Sequence, residues 1–128
     1  MSADPWQPRR GEVVLVAFPF LGSDGQAQVK PRPALVVSGD IIHRTTADVL
    51  IAAISSRPAS RSLPTDYQII WGTDESQAVG LKRTSWVKTS NLAAVPKAAV
   101  TRRLGQLSPA GLHAVDERLL LALGLASE

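Results

Sequence analysis

The run Lys30-Pro31-Arg32-Pro33-Ala34-Leu35-Val36-Val37 holds a guanidinium between two prolines at the start of an apolar stretch. Each proline disfavours the helical region for the residue before it, so Lys30 and Arg32 are held extended. Alternation along an extended chain puts both side chains on one face. Two cations on one rigid face suit a phosphodiester. The same residues also suit a solvated edge strand whose cations and prolines block aggregation. From this run alone, both readings stand.

Other residue types narrow the chemistry. Cysteine is absent, which removes disulfides, thiol nucleophiles and thiolate metal sites together. No HExxH, no P-loop and no nucleotide-binding glycine fingerprint occurs. The two histidines, His43 and His113, have no obvious partners for a Ser-His-Asp arrangement, and a structural role is expected for each. His43 falls in a loop after Asp40-Ile41-Ile42, and His113 on the last helix, solvated or packed at its edge. Three tryptophans, Trp6, Trp71 and Trp86, offer faces on which bases stack. Trp86 lies in a strand pattern and is expected in the core or a dimer interface. Trp71, at a strand end before Gly72, is the better stacking candidate. Between Ser76 and His113 stand six basic residues (Lys82, Arg83, Lys88, Lys97, Arg102, Arg103) and no acidic one. Such asymmetry suits a polyanion or an acidic partner, or it is a scatter of solvated cations.

The elements that must position these residues are mostly strands. At 128 residues, 45% hydrophobic and 20% charged, the chain fits one domain with a real core. Residues 1–9 read as a Pro-rich lead-in and residues 10–128 as the domain. The N-terminus has no apolar signal segment, and no apolar run approaches the roughly 20 residues of a membrane span. These features fit a cytoplasmic protein. Strands are expected over Gly11–Phe20, Arg32–Ser38, Asp48–Ser56 and Asp66–Trp71, then over Thr84–Thr89 and Asn91–Val95 as two short strands or one bent one. Gly22-Ser23-Asp24-Gly25 is a turn cluster whose loop runs to about Val29. Arg57–Pro64 and Gly72–Gly80 read as loops. Pro96 is expected to open a short helix ending at Gly105. Ser108-Pro109 starts a second, with Leu112, Val115, Leu119 and Leu123 as its apolar stripe and Gly124 beyond its end. Strands first and a closing helix last give a mainly β, α+β architecture: a small barrel or strongly bent sheet with a helix packed on it.

Several segments then align in order with one family. They are Arg10-Gly11-Glu12-Val13-Val14-Leu15-Val16, Arg32-Pro33-Ala34-Leu35-Val36-Val37, Ala52-Ala53-Ile54-Ser55-Ser56, Arg103-Leu104-Gly105-Gln106-Leu107-Ser108, and Val115-Asp116-Glu117 with Leu121-Ala122-Leu123-Gly124-Leu125. Together, over residues 9–125, they resemble the MazF/PemK toxins of bacterial type II toxin–antitoxin systems. The resemblance implies an SH3-like barrel with a C-terminal helix, working as a homodimer. It implies metal-independent, sequence-specific cleavage of single-stranded RNA with no cofactor. It also implies a cognate antitoxin that lays an acidic C-terminal segment along the RNA-binding surface. The family's active-site arginine falls on Arg32 and its active-site threonine on Ser55. An acidic residue of its hairpin loop falls near Asp24, in a loop that is longer here. A Glu-Gln pair that helps read RNA in many members matches Ser90 and Asn91, which loses the charge and shortens the amide. Phe18-Pro19-Phe20 resembles a subset of the family, so base specificity does not carry over.

Metal-free cleavage means attack by the 2′-hydroxyl on the neighbouring phosphorus, giving a 2′,3′-cyclic phosphate and a 5′-hydroxyl. Arg32 can bind two phosphate oxygens at once as charge builds on them. Ser55 keeps the hydroxyl of the family threonine. If its strand continues, Arg57 shares its face and can hold an adjacent phosphate, as can Lys30. For the general base, the residues leave open Asp24 or none at all. Two other readings stay open: a non-catalytic barrel toxin that binds DNA gyrase, as the related CcdB toxins do, and a degenerate member that binds RNA or antitoxin without cutting.

Overall fold

The computed structural model describes residues 6–21, 24–57 and 62–128. The elements run β1 (Glu12–Leu21), β2 (Ala27–Val36), α1 (Asp40–Thr45), β3 (Asp48–Ser55), β4 (Asp66–Ile69), α2 (Asp74–Ala78), β5 (Ser85–Pro96), one 3-10 turn (Lys97–Ala99), β6 (Val100–Gln106) and α3 (Pro109–Ala122). The strands form one antiparallel sheet in the order β4-β5-β3-β2-β1-β6, curled into a half-barrel with α3 packed against it. This is the strongly bent sheet with a closing helix that the sequence pattern implies.

Both faces of the central strands are buried, which is why they read as near-continuous apolar runs. One face carries Val13, Leu35, Ile54, Ile69 and Val87, packed with Val115 and Leu119 of α3. The other carries Val14, Val16, Ala34, Val36, Val49 and Ile51. The N-terminal approach is tied down where Arg10 donates to the Val37 carbonyl and pairs with Asp116 of α3.

The second strand begins at Ala27, earlier than the expected Arg32, and both prolines lie inside it. Backbone parity explains how. Val37 donates its N–H to Leu50 of β3, whereas the Val36 carbonyl accepts from Gly11 on the opposite side. In an antiparallel strand a residue's N–H and C=O point to the same neighbour, and successive residues alternate. Pro31 and Pro33 share the parity of Val37, so their missing donors face β3 and cost β1 nothing. The ladder to β1 accordingly runs unbroken from Val13↔Leu35 to Leu21↔Ala27, while that to β3 covers just Ala34, Leu35 and Val36.

Three other expectations change, and one open alternative is decided. His43 sits in a short helix, α1, and not in a loop. The Gly72–Gly80 loop contains α2, started by Thr73, whose hydroxyl accepts the Ser76 N–H. Of two short strands or one bent one, the structure has the single strand, β5, interrupted by a bulge: Ala53 pairs with Lys88, but the next residue back, Ala52, pairs with Leu92. The helix expected from Pro96 to Gly105 is a single 3-10 turn followed by β6. Val100 and Thr101 are β-branched and favour the strand. Gly105 packs so closely on the Ala78 carbonyl that a Cβ there would collide with it. Of the turn cluster at 22–25 and the Arg57–Pro64 stretch, residues 22–23 and 58–61 lie outside the described residues, as do residues 1–5 of the lead-in.

The closing helix begins as expected, with Ser108 Oγ accepting the Gly111 N–H at 3.0 Å. Val115 and Leu119 are buried and Leu112 packs beside them, while Leu123 is 57% exposed. A second polar joint fixes its start. Glu75 of α2 accepts from the Ser108 hydroxyl at 2.8 Å and from the Tyr67 hydroxyl at 3.2 Å. Burial pushes the Tyr67 phenol above its usual value, with the Glu75 charge and hydrogen bond adding to the effect and Arg118 opposing it.

Two measurements check these assignments. In Pro33→Ala, the new amide faces the Ile54 carbonyl across β2–β3, so hydrogen exchange should show the N–H gained at this position protected in a folded protein; fast exchange there would contradict the parity. For Tyr67, the folded state favours the neutral phenol, so its contribution is complete below about pH 10, the unfolded value. It is lost as pH rises through the higher folded value. Thermal melts above about pH 10 should therefore decline less steeply with pH for Tyr67→Phe than for the parent, with no difference in slope below it.

Candidate functional site

The site is built where β2 and β3 part. Their pairing runs Val36↔Ile51, Leu35↔Ala52, Ala34↔Ala53. Carried two steps past the paired residues, the same register places Arg32 across from Ser55, the last residue of β3; Arg57 lies beyond the strand's end in a bend, so β3 does not continue to it. Opposite residues share a face. Ser55 is in turn paired with Trp86 on β5, and Trp86 with Gln68 on β4. A single cross-strand row therefore reads Arg32, Ser55, Trp86, Gln68. The alternate residues Ile54, Val87 and Ile69 point into the core shared with α3, so the row looks the other way. Lys30, Arg32, Arg57 and Gln68 are exposed, and Ser55 and Trp86 are half-buried.

Ser55 Oγ accepts the Arg57 N–H at 3.2 Å. That bond occupies a lone pair and not the hydroxyl proton, so Ser55 can still donate to an oxyanion. It also turns the chain just after β3. One row behind, Lys88 Nζ donates to Asp66 Oδ2 at 2.7 Å, and Asp66 also accepts from the Leu63 N–H at 3.0 Å. The Asp66 side chain is 2% exposed, and among the described residues its Oδ1 has no hydrogen-bond partner. Arg118 of α3 donates to the Asp66 carbonyl at 2.8 Å, so β4 is pinned from both sides.

The other sequence-derived site residues fall elsewhere. Asp24 lies beyond the Leu21↔Ala27 pair at the end of the β1–β2 hairpin, its carboxylate accepting the Gln26 N–H at 3.0 Å. Ala27 alone is five residues from Arg32, about 17 Å along a strand. Ser90 and Asn91 are exposed in the β5 bulge, and Ser90 lines a cleft with Thr65, Thr89 and Leu121 at the far end of α3. The structure brings neither to the Arg32–Ser55 row; the β5 residues there are Trp86 and Lys88. The signal was present in Ser85-Trp86-Val87-Lys88, where a buried valine between two outward side chains marks the opposite face. Gln68 carries the same signal between Tyr67 and Ile69.

The histidines take structural places. His43 is buried, with Nε2 2.6 Å from Ser38 Oγ, which accepts the Leu50 N–H. His113 is exposed and 2.9 Å from Glu117. Trp71 is 62% exposed at the end of β4. Of the six basic residues between Ser76 and His113, three have internal partners: Lys88 on Asp66, Arg103 on Glu12, and Lys97 on the His43 carbonyl. Among the described residues, no group of three His, Cys, Asp or Glu side chains could hold a metal ion.

Comparison with known proteins bears on the whole chain. Residues 9–123 match the family described as PemK-like, MazF-like toxin of type II toxin-antitoxin system. The chain is 28% identical over 118 residues to endoribonuclease EndoA of Bacillus subtilis (strain 168), covering 91% of this chain and 95% of that protein. It resembles an endoribonuclease solved in complex with its cognate antitoxin from a mycobacterial species, at TM-score 0.71 and 26% identity, covering 94% of this chain and 99% of that one. MazF in a MazE–MazF complex from Deinococcus radiodurans shares the fold at TM-score 0.68 and 18% identity, covering 95% of this chain and all of that one.

The Lys88–Asp66 pair beneath the row should behave as a buried ion pair. Lys88→Met strands a buried carboxylate and should cost about 3 kcal/mol in urea unfolding. Adding Asp66→Asn to that variant should restore part of the loss, because an amide needs no counter-ion.

Proposed function

The chain belongs to the PemK-like, MazF-like toxins of type II toxin–antitoxin systems, and from that premise we propose that it is a metal-independent endoribonuclease that cuts single-stranded RNA, messenger RNA included, at specific sequences. What supports this reading is the β2–β3 register, which carried two steps past Ala34↔Ala53 places Arg32 across from Ser55 on one face, with Lys30 two residues along β2 and Arg57 just past the end of β3. The names of the relatives, endoribonucleases among them, point the same way.

In the proposed reaction the 2′-oxygen attacks the adjacent phosphorus, and the bond from phosphorus to the 5′-oxygen breaks. The 2′-hydroxyl proton is lost and the departing 5′-oxygen gains one, leaving a 2′,3′-cyclic phosphate and a 5′-hydroxyl. Arg32 takes the non-bridging oxygens in a two-pronged grip, where preorganised donors stabilise developing charge by a few kcal/mol each. Ser55 donates its remaining proton to a phosphate oxygen or orients the 2′-hydroxyl. Lys30 and Arg57 hold flanking phosphates. Asp24 is five or more residues along the hairpin from Arg32, which favours electrostatic stabilisation by Arg32 over a dedicated base on that loop. Asp24 remains a contact to RNA farther along the strand, and Ser90 and Asn91 contacts from the bulge.

The same cationic face suits an acidic segment of a cognate antitoxin, and the working unit is a homodimer of one domain from about residue 10, preceded by a short lead-in. Among the described residues no helix is long and apolar enough to cross a membrane, and a cytoplasmic site of action fits the substrate.

Purified protein incubated with a long single-stranded RNA in excess EDTA should give discrete cuts, mapped by primer extension, that terminate in cyclic phosphates. Arg32→Ala should fold normally and lose about 100-fold or more in rate, and Ser55→Ala should lose less. Random or chelator-sensitive degradation, or an Arg32→Ala protein as active as the parent, would overturn the assignment.

A further inference from the structure

Trp86 is a large apolar side chain that, among the described residues, belongs to neither core cluster nor to the partly buried hydrophobic residues packed against them. Its chain neighbours are sequestered: Ser85 is 3% exposed and Val87 is fully buried. The indole therefore stands half-buried on the opposite face, directly across from Ser55 and one strand spacing, about 4.8 Å, from it. A buried tryptophan normally dominates its core; this one is placed beside the proposed reacting groups.

We propose that Trp86 is the stacking platform for a base adjoining the scissile phosphate, and that Gln68 reads the edge of that base. The inference rests on the RNA-cleaving reading above and adds to it the recognition element. Every base presents a π-face, so an indole beside a phosphate grip binds nucleotides with little regard to sequence. Gln68 supplies what stacking lacks. It is exposed, lies across from Trp86 on the same face, and its amide offers an acceptor and two donors, enough for a paired contact to one base edge. The two residues are held in place from behind. Lys88, next to Trp86 on its face, is locked to Asp66, which occupies the corresponding place next to Gln68. The three β5 and β4 residues Trp86, Lys88 and Gln68 thus share one rigid patch, and the base that lands there is fixed relative to Arg32 and Ser55.

The test uses the full chain with Trp6→Phe and Trp71→Phe, so that emission reports Trp86 alone. An oligonucleotide of the mapped cleavage sequence, 2′-deoxy at the scissile position, cannot be cut and serves as the probe. Titration should quench Trp86 to saturation. In the parent background, Trp86→Leu should weaken binding of the same probe about 5- to 150-fold, the range for one lost stacked base. Trp86→Phe should restore most of it, which a simple packing defect in Trp86→Leu would not predict with an unchanged circular dichroism spectrum. Gln68→Ala should relax the preference at one position of the cut sequence. A parent that cuts RNA while Trp86→Leu binds the probe as tightly, or while Trp86 emission stays constant at saturation, overturns the stacking role and leaves the endonuclease reading intact. A Gln68→Ala protein with an unchanged cut sequence overturns the reading of the base edge. A parent that neither cuts RNA nor binds the probe removes both this inference and the function it rests on.

Discussion

Two missing backbone donors shape the working end of this molecule. Pro31 and Pro33 point their absent N–H groups at β3, so the β2–β3 ladder has no donor from β2 beyond Leu35. The strand stays paired to β1 on its other side, which fixes Arg32 opposite buried Val16. Arg32 is therefore anchored through its pairing with β1. A ladder zipped to its end would bring the two strands to their usual separation of about 4.8 Å along the whole edge, with little room between the arginine and Ser55 for a phosphate. The prolines remove the bonds that would enforce that closure, and they do so without loosening the strand that carries the cation.

The two-faced core is the second constraint. Because α3 covers one face and the curl of the sheet covers much of the other, polar side chains of the central strands have few places to go. Those that face away from α3 near the strand ends collect into one row, and the bulge in β5 decides which they are. Upstream of the bulge, Trp86 and Lys88 face away from α3; downstream, Leu92 turns toward the α3 side and lines a groove with Leu120 and Leu123. A bulge of this kind reverses which residues are inward along one strand. Without it, alternation counted from Lys88 would put Leu92 beside the cations.

Much of this architecture can be read from the sequence, and the failures have physical causes. The apolar run of β1, the start of α3 at Ser108-Pro109 and the Gly124 stop follow from local rules that tertiary contacts do not override. Arg32 and Ser55 come forward as candidates through a family resemblance whose motifs sit on β2 and β3. The bulge is not legible, because Thr89-Ser90-Asn91 is as compatible with a loop between two strands as with an interruption in one, and it sets Ser90 and Asn91 apart from the row of Arg32, Ser55 and Trp86. β6 was misread as a helix because Pro96 and Gly105 imitate helix punctuation. The glycine serves instead to let β6 pass against α2, a long-range requirement invisible in the local pattern. The run of six basic residues overstated the charge available to a ligand, since half of it has partners inside the molecule.

The row also separates two tasks by strand. The groups assigned to the reaction come from β2 and the end of β3, where prolines and a turn-forming serine set their geometry. The groups assigned to recognition come from β5 and β4, fixed by a buried ion pair and by Arg118 of the closing helix. These supports share no residue. A change of side chain at Trp86 or Gln68 alters what is presented to a base while leaving the Pro31–Pro33 clamp and the β1 ladder as they are, so on the proposed reading sequence preference can change without disturbing the machinery of cleavage. The reverse does not hold. Arg32 and Ser55 lie on one face where the β2–β3 ladder ends, and on the proposed reading a substitution that moves either strand there would disturb the phosphate contact and, with it, the reference point from which a base is read.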